Sequence, residues 1–428
     1  MSEDVDVAAV FRTEWPRLMS VLVRETRDVA LAEDLAAEAF EEAARRWVTD
    51  GAPDRPGAWL LTAARRRAID RHRRDRRFAD RLPQLAVAAS LAATAPDAAD
   101  APPSQTVVDD QLALLCGCCH PDLDRDTQIA LTLRVVAGLT TDQIARALLV
   151  SPAAMGRRLS RARKRLQADD VTFAAIDRDL LTDRLGVAAG VVYSIFSEGH
   201  TATTPAELVR GDLCDEALWL AELLHRLVPD DPELIGLRAL LLLTDARRDA
   251  RLDDDGRLVT LDRQDRALWD GAKLDLGRAL LADAHAFGRL GPYQLLAAIA
   301  ALHVAPGDGT AGETAGGTDW ATIVTLYDLL TERWPVPLHR LNRAIAVSRA
   351  TGPVDGLALI DDDTELVDQL ADYPYLHSTR GELLLELGRW SEAADAFGRA
   401  MTITRNEVER RHLAERLDAA AAEEGERR

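Results

Sequence analysis

Two tight runs of basic residues are the part of this sequence best suited to chemistry. The first is Arg65, Arg66, Arg67, Arg71, Arg73, Arg74, Arg76 and Arg77, opposed only by Asp70 and Asp75. The second is Arg157, Arg158, Arg161, Arg163, Lys164 and Arg165, with no acid among them. Guanidinium groups neutralise phosphates, and a positioned arginine pairs with the N7 and O6 edge of guanine. A solvated helix face is the plainer reading. It fits the first run poorly, because eight arginines within thirteen residues repel one another unless an anion lies among them.

Helices must carry both runs. Residues 5–77 read as a helical bundle. Within it, Val29–Trp47 sets Ala36, Phe40, Ala43 and Trp47 at helical spacing, with Asp34, Glu38, Glu41 and Glu42 mostly on other faces. Thr49–Gly57 is a turn-rich break. A helix then runs from about Ala58 to Arg77, on which Trp59, Leu60 and Ile69 form an apolar stripe. Residues 78–108, rich in Ala, Pro and Asp, suit a linker. Residues 109–168 form a second helical unit. Ile129, Leu133 and Val136 mark a helix stopped by Gly138. Thr140 and Gln143 then stand at capping-box spacing. Ser151-Pro152 supplies an N-cap and a first-turn proline for a helix that buries Met155, Leu159, Ala162 and Leu166. A short helix, a tight turn and a second helix with a basic outer face make a helix-turn-helix pattern. Its outward positions are Ala154, Arg157, Arg158 and Arg161, near the end that enters a major groove. Arg163, Lys164 and Arg165 lie further along, where phosphate is the expected contact.

The 428-residue chain has a net charge of −19, which taken as an average argues against nucleic acid. The distribution reverses that reading. Residues 1–170 carry a net −1 and the remainder −18, so the acidity belongs to the C-terminal part. Abundant Ala and Leu with few aromatics favour an all-α fold. No apolar run is long enough to span a bilayer, and the acidic N-terminus is no signal peptide, so a cytoplasmic protein is expected. From about 171 to 428 the chain reads as helical. Gly307–Gly317 suggests a loop. Gly381, Leu384, Ala393, Phe397 and Ala400 stand at tetratricopeptide (TPR) spacing, with a fainter copy around Ala344–Val347.

These segments carry a resemblance. Ala32–Trp47 (AEDLAAEAFEEAARRW) resembles the helix by which sigma factor region 2 grips RNA polymerase. Arg55–Arg77 resembles the segment that opens and reads the −10 promoter element, and Thr127–Leu166 resembles region 4, which reads the −35 element. No region 3 lies between them, an economy similar to that of extracytoplasmic-function (ECF) sigma factors. The resemblance implies core RNA polymerase and promoter DNA as partners, and no enzymatic activity. It implies −35 contacts from Ser151, Ala154, Arg157, Arg158, Arg161, Arg163, Lys164 and Arg165. For the −10 element it implies Trp59, Arg65, Arg66, Arg67, Arg71, Arg73 and Arg74, although Trp59 also reads as core. For the polymerase it implies polar contacts from Asp34 and Glu38 and an apolar one from Leu35.

The motifs Cys118–Pro121 (CCHP), Tyr193–His200 (YSIFSEGH) and Leu338–Pro353 are similar to those of a subgroup with a long TPR-like extension. There, Asn and Tyr are expected where this chain has Ser197 and His200. The extension either masks the basic helices or is required for activity, and it could hold a regulatory protein. The rival reading is a helix-turn-helix regulator with a TPR-like sensor, which leaves Ala32–Trp47 and the arginine helix after it unexplained. Cys116, Cys118, Cys119 and His120 crowd too closely to close a metal tetrahedron, so they read as buried thiols, with redox sensing left open. No metal or other cofactor is expected.

Overall fold

A computed structural model describes residues 7–74, 105–148, 150–168, 178–201, 208–305 and 318–427. Among them every named element is a helix, apart from an isolated antiparallel bridge between Leu252 and Leu258. The chain divides into two compact units, Met1–Ser194 and Ile195–Arg428.

Three helices open the first unit: α1 (Val7–Thr26), α2 (Val29–Asp50) and α3 (Pro56–Arg74). Asp28 caps α2 by accepting the N–H groups of Ala30 and Leu31, which satisfies two of the helix's orphan donors. Gly51, at φ 78°, ends it. The inward row Ala36, Phe40, Ala43 and Trp47 is buried as expected, as are Trp15, Met19, Leu22 and Leu60, and the Trp15 and Phe40 rings stand 6.0 Å apart.

α4 (Gln105–Cys118) packs on α1 and begins inside the stretch read as linker; residues 78–104 of that stretch lie outside the described residues. α5 (Arg125–Leu131) runs on into a single π-helical turn, Thr132–Val136, and stops at Gly138. At φ 74° this position needs glycine, and a Cβ there would stand 2.7 Å from the Phe11 ring. α6 (Thr141–Ala147) opens with the expected capping box: the Gln143 N–H donates to Thr140 Oγ1, and the Thr140 N–H donates to Gln143 Oε1 at 2.8 Å. α7 (Pro152–Ala168) follows, its N-terminus capped by Ser151 Oγ, which accepts from the Ala154 N–H. Met155, Leu159, Ala162 and Leu166 are buried beneath it.

α8 (Arg178–His200) carries the chain across the division between units. Its residues up to Ser194 belong to the first unit, because Arg125 donates to Val187 O at 3.2 Å and Arg184 to Cys119 O.

The second unit is a succession of packed helices: α9 (Gly211–Leu227), α10 (Pro232–Asp245), α11 (Gly271–Ala286), α12 (Pro292–His303), α13 (Trp320–Arg333), α14 (Pro337–Thr351), α15 (Pro353–Asp361), α16 (Thr364–Gln369), α17 (Pro374–Glu386), α18 (Trp390–Ile403) and α19 (Glu407–Arg427). Proline opens α10, α12, α14, α15 and α17, where its missing N–H costs no helical bond. Gly381 lets α17 meet α18 closely: a Cβ there would stand 2.8 Å from the ring of fully buried Phe397. Ala393 and Ala400 flank that plug. The loop expected at Gly307–Gly317 lies outside the described residues.

Candidate nucleic-acid and polymerase interface

α7 presents its N-terminal half outward. Ser151, Arg157, Arg161, Lys164 and Arg165 are exposed and Ala154 is half-buried. Arg158 is turned partly back, with Nη1 donating to Asp126 at 3.2 Å. Arg165 lies 3.9 Å from Asp122. The exposed set is a cationic ridge over a capped helix start, the form that a groove-reading helix needs.

Arg163 differs from expectation. It points inward, and its Nη2 lies 2.8 and 2.7 Å from the two carboxylate oxygens of Glu33. Arg134 donates its Nε to the same carboxylate at 3.0 Å and its Nη1 to Leu139 O. Glu33, on α2, is only 4 % exposed. Burying a carboxylate costs its hydration unless cations and donors offset the loss, and these two arginines supply that offset. Trp15 adds a bond to the same junction, donating Nε1–H to Val135 O at 3.1 Å. The first unit thus joins its two helical groups through Glu33, and Arg163 is engaged within the protein rather than offered to phosphate.

On α3 the arginines divide. Arg66 is exposed. Arg65 is 6 % exposed and bonds through two nitrogens to Glu25, so it is a structural ion pair in this conformation and not an open −10 contact. Arg67 reaches Glu42 at 3.1 Å. Arg71 reaches Asp34 at 3.1 Å and Glu38 at 4.0 Å, which brings the expected polymerase contacts and a −10 contact together on one face. The side chains of Arg73 and Arg74 lie outside the described residues. Trp59 is half-buried, edge-on to Trp47 with ring centroids 5.5 Å apart. Leu35 corrects an expectation: at 0 % exposure it fills the bundle core and presents nothing to a partner.

Sequence reasoning missed Glu33 and Arg134, whose partners are more than a hundred positions away. It also missed Val48, an apolar side chain 84 % exposed at the end of α2, beside the 49–57 turn. Its one sequence signal is that it steps off the buried stripe one place after Trp47.

Cys116, Cys118 and Cys119 are free and buried, and with Cys214 they are all the cysteines of the chain. Burial pushes Cys116 and Cys119 up to about 12 and Cys118 well above its ordinary value, the neighbouring Cys119 adding to the rise in Cys116 and Cys118. They persist as thiols, whereas metal ligation and exchange chemistry require thiolates. Among the described residues no His, Cys, Asp or Glu group is arranged to hold a metal, and no helix is long and apolar enough to cross a membrane.

Comparison with known proteins agrees with this organisation. Residues 10–78 match Sigma-70 region 2, and residues 117–166 match Sigma-70, region 4. Residues 184–285 match a family of unknown function, DUF6596. An uncharacterized protein of Rhizobium meliloti (strain 1021) is 41 % identical over 419 residues, covering 98 % of this chain and 96 % of its own length. The chain therefore belongs to the sigma-70 family, a non-enzymatic family that directs RNA polymerase to promoters, in an ECF-like form with a DUF6596 extension.

Proposed function

We propose that α7 reads the −35 element through Ser151, Ala154, Arg157, Arg158 and Arg161, with Lys164 and Arg165 on phosphate. The observation that carries this reading is the exposed row Arg157, Arg161 and Lys164 on a helix whose N-terminus is capped by Ser151. α3 and the 49–57 turn engage the −10 element, with Arg66 outermost and Arg67 and Arg71 released from Glu42 and Asp34 by competing phosphates. Asp34 and Glu38, exchanged from Arg71, meet basic side chains of the polymerase. Arg163 joins the phosphate contacts only when it leaves Glu33. The extension controls this activity in the cytoplasm, and its paired, TPR-like helices offer a surface to a regulatory protein.

Run-off transcription with core polymerase on a promoter pool tests the proposal. The full chain should give discrete starts, and the combined Arg157→Ala, Arg158→Ala and Arg161→Ala substitutions should abolish them. Retention of the same starts in the triple variant would refute the α7 assignment. A fragment ending at Ser194, which keeps the contacts of Arg125 and Arg184, reports on the extension: greater activity means that it inhibits, lost activity that it enables.

A further inference from the structure

The second unit holds a half-buried cationic cluster that transcription does not explain. It gathers around the turn after α10, where Arg247, Arg248 and Arg251 stand together. Arg248 is neutralised: it bonds Asp245 at 2.7 Å and Asp215 at 2.8 Å. Arg247 is not, and Arg251 has only the more distant pull of the Glu409 carboxylate. Arg247 donates Nη1 to the neutral side chain of Gln264, at 3.3 Å. Arg251 donates to the backbone carbonyl of His200 and to Thr201 Oγ1. Neither has an ion pair among the described residues. Burial, and then Arg251, pulls Arg247 down to about 10.

Other segments converge on these two arginines. The end of α8 brings His200, stacked on Phe196 with centroids 5.4 Å apart. Arg210 follows it closely, its N–H donating to Gly199 O at 2.7 Å. The segment before α11 brings Trp269, packed against Ala246 and Val304. The end of α12 brings His303, edge-on to Trp320. Arg247 acts on both histidines: burial first, and then nearby arginine charge, holds His303 down at about 4 and His200 well below its ordinary value.

Five polar atoms here are buried without a hydrogen-bond partner among the described residues: His200 Nε2, Arg210 Nη1, Arg247 Nε, Trp269 Nε1 and His303 Nδ1. Buried polar groups are ordinarily satisfied, and a buried cation without a counter-charge is costlier still. Arginine beside arginine, in the half of the chain that carries almost all the acidity, is the reverse of what fold stability alone selects. An oxyanion would answer every term at once. It accepts from the arginine fork and the indole N–H, and it supplies the absent charge.

We infer that Arg247, Arg251, His200, His303 and Trp269 form a binding site in the extension for a small oxyanion-bearing ligand, a carboxylate or a phosphate. The site, whose residues other than His303 fall in the DUF6596 match, makes the extension the ligand-sensing part of this sigma factor. Its test does not depend on the promoter assignments, because the readout is binding.

The extensively dialysed full chain is titrated by calorimetry and thermal unfolding with inorganic phosphate and with malonate, against chloride at matched ionic strength. One oxyanion should give saturable binding and raise the unfolding midpoint by roughly 5 °C at about a hundredfold excess over Kd. Chloride should not. Response to phosphate alone assigns a phosphate ligand, and response to malonate alone a carboxylate. Arg247→Gln should weaken binding at least about tenfold, the loss of a strong charge-assisted contact. In the ligand-free protein the same change should raise the midpoint, because it removes an unpaired buried charge; Arg247→Lys, which keeps the charge, should not. No saturable response to either oxyanion, a response undiminished in Arg247→Gln, or a lowered ligand-free midpoint in that variant would each overturn the site.

Discussion

Glu33 decides how the first unit is held. Its carboxylate is buried and shared by Arg134 and Arg163, so Glu33→Gln leaves two partly covered guanidiniums facing a neutral amide. Removing one partner of such a group costs on the order of 3–5 kcal/mol. The expected outcome is a lower urea midpoint of the full chain, whereas the exposed Arg157→Ala leaves it unchanged; equal midpoints in both variants would remove the structural role given to Glu33. Sequence reasoning placed Arg163 on phosphate because every charge within reach along α7 is positive. Its actual partner lies 130 positions away, and a local window cannot register a bond of that range. Leu35 shows the same limit from the other side, since resemblance supplied a contact where the helical register of α2 makes a core position.

At the scale of elements, what was legible is what repeats at short range. The Thr140–Gln143 box, the Ser151 cap with Pro152, and the inward row of α7 all operate within one or two helical turns, and all were readable as patterns. The α17–α18 pair was legible for a related reason: small residues and one large plug at fixed spacing describe a close helix crossing. Phe397→Ala should therefore cost about 3–5 kcal/mol, the range for emptying a buried aromatic site, measured as a shift in chemical unfolding of the full chain. A loss under about 1 kcal/mol would mean that the pair closes without its plug. The π-helical turn at Thr132–Val136 was not legible, because it inserts one residue into a pattern that reads as ordinary helix. Nor was the cluster around the arginine turn after α10, whose His200, Trp269 and His303 come from separate segments.

Across the whole molecule, the −19 net charge misleads about partners, because charge acts locally when screening lengths are about 8–10 Å. The binding of holoenzyme to promoter should accordingly weaken with salt as for a basic surface. Lys164→Ala should reduce the slope of log K against log[salt] by about 0.9, the effect of one phosphate contact. An unchanged slope would take Lys164 off the phosphate backbone. The boundary between units is also a whole-molecule property. The turn from near-neutral to acidic composition suggested a break near residue 170, but α8 stays with the first unit to Ser194 because Arg125 donates to its Val187 carbonyl and its own Arg184 donates to Cys119 O. Composition marks where the charge changes and not where the contacts end.

The buried cysteines have a practical consequence. All four thiols are enclosed, and burial holds Cys116, Cys119 and Cys214 at about 12 and Cys118 well above its ordinary value, so maleimide and iodoacetamide dyes find almost no thiolate on the native chain. A single cysteine placed at the exposed Val48 can then be labelled against a silent background, without first stripping the native cysteines from the helices that they pack. The protein is in this sense ready for fluorescence work, with a reporter beside the turn proposed to engage the −10 element.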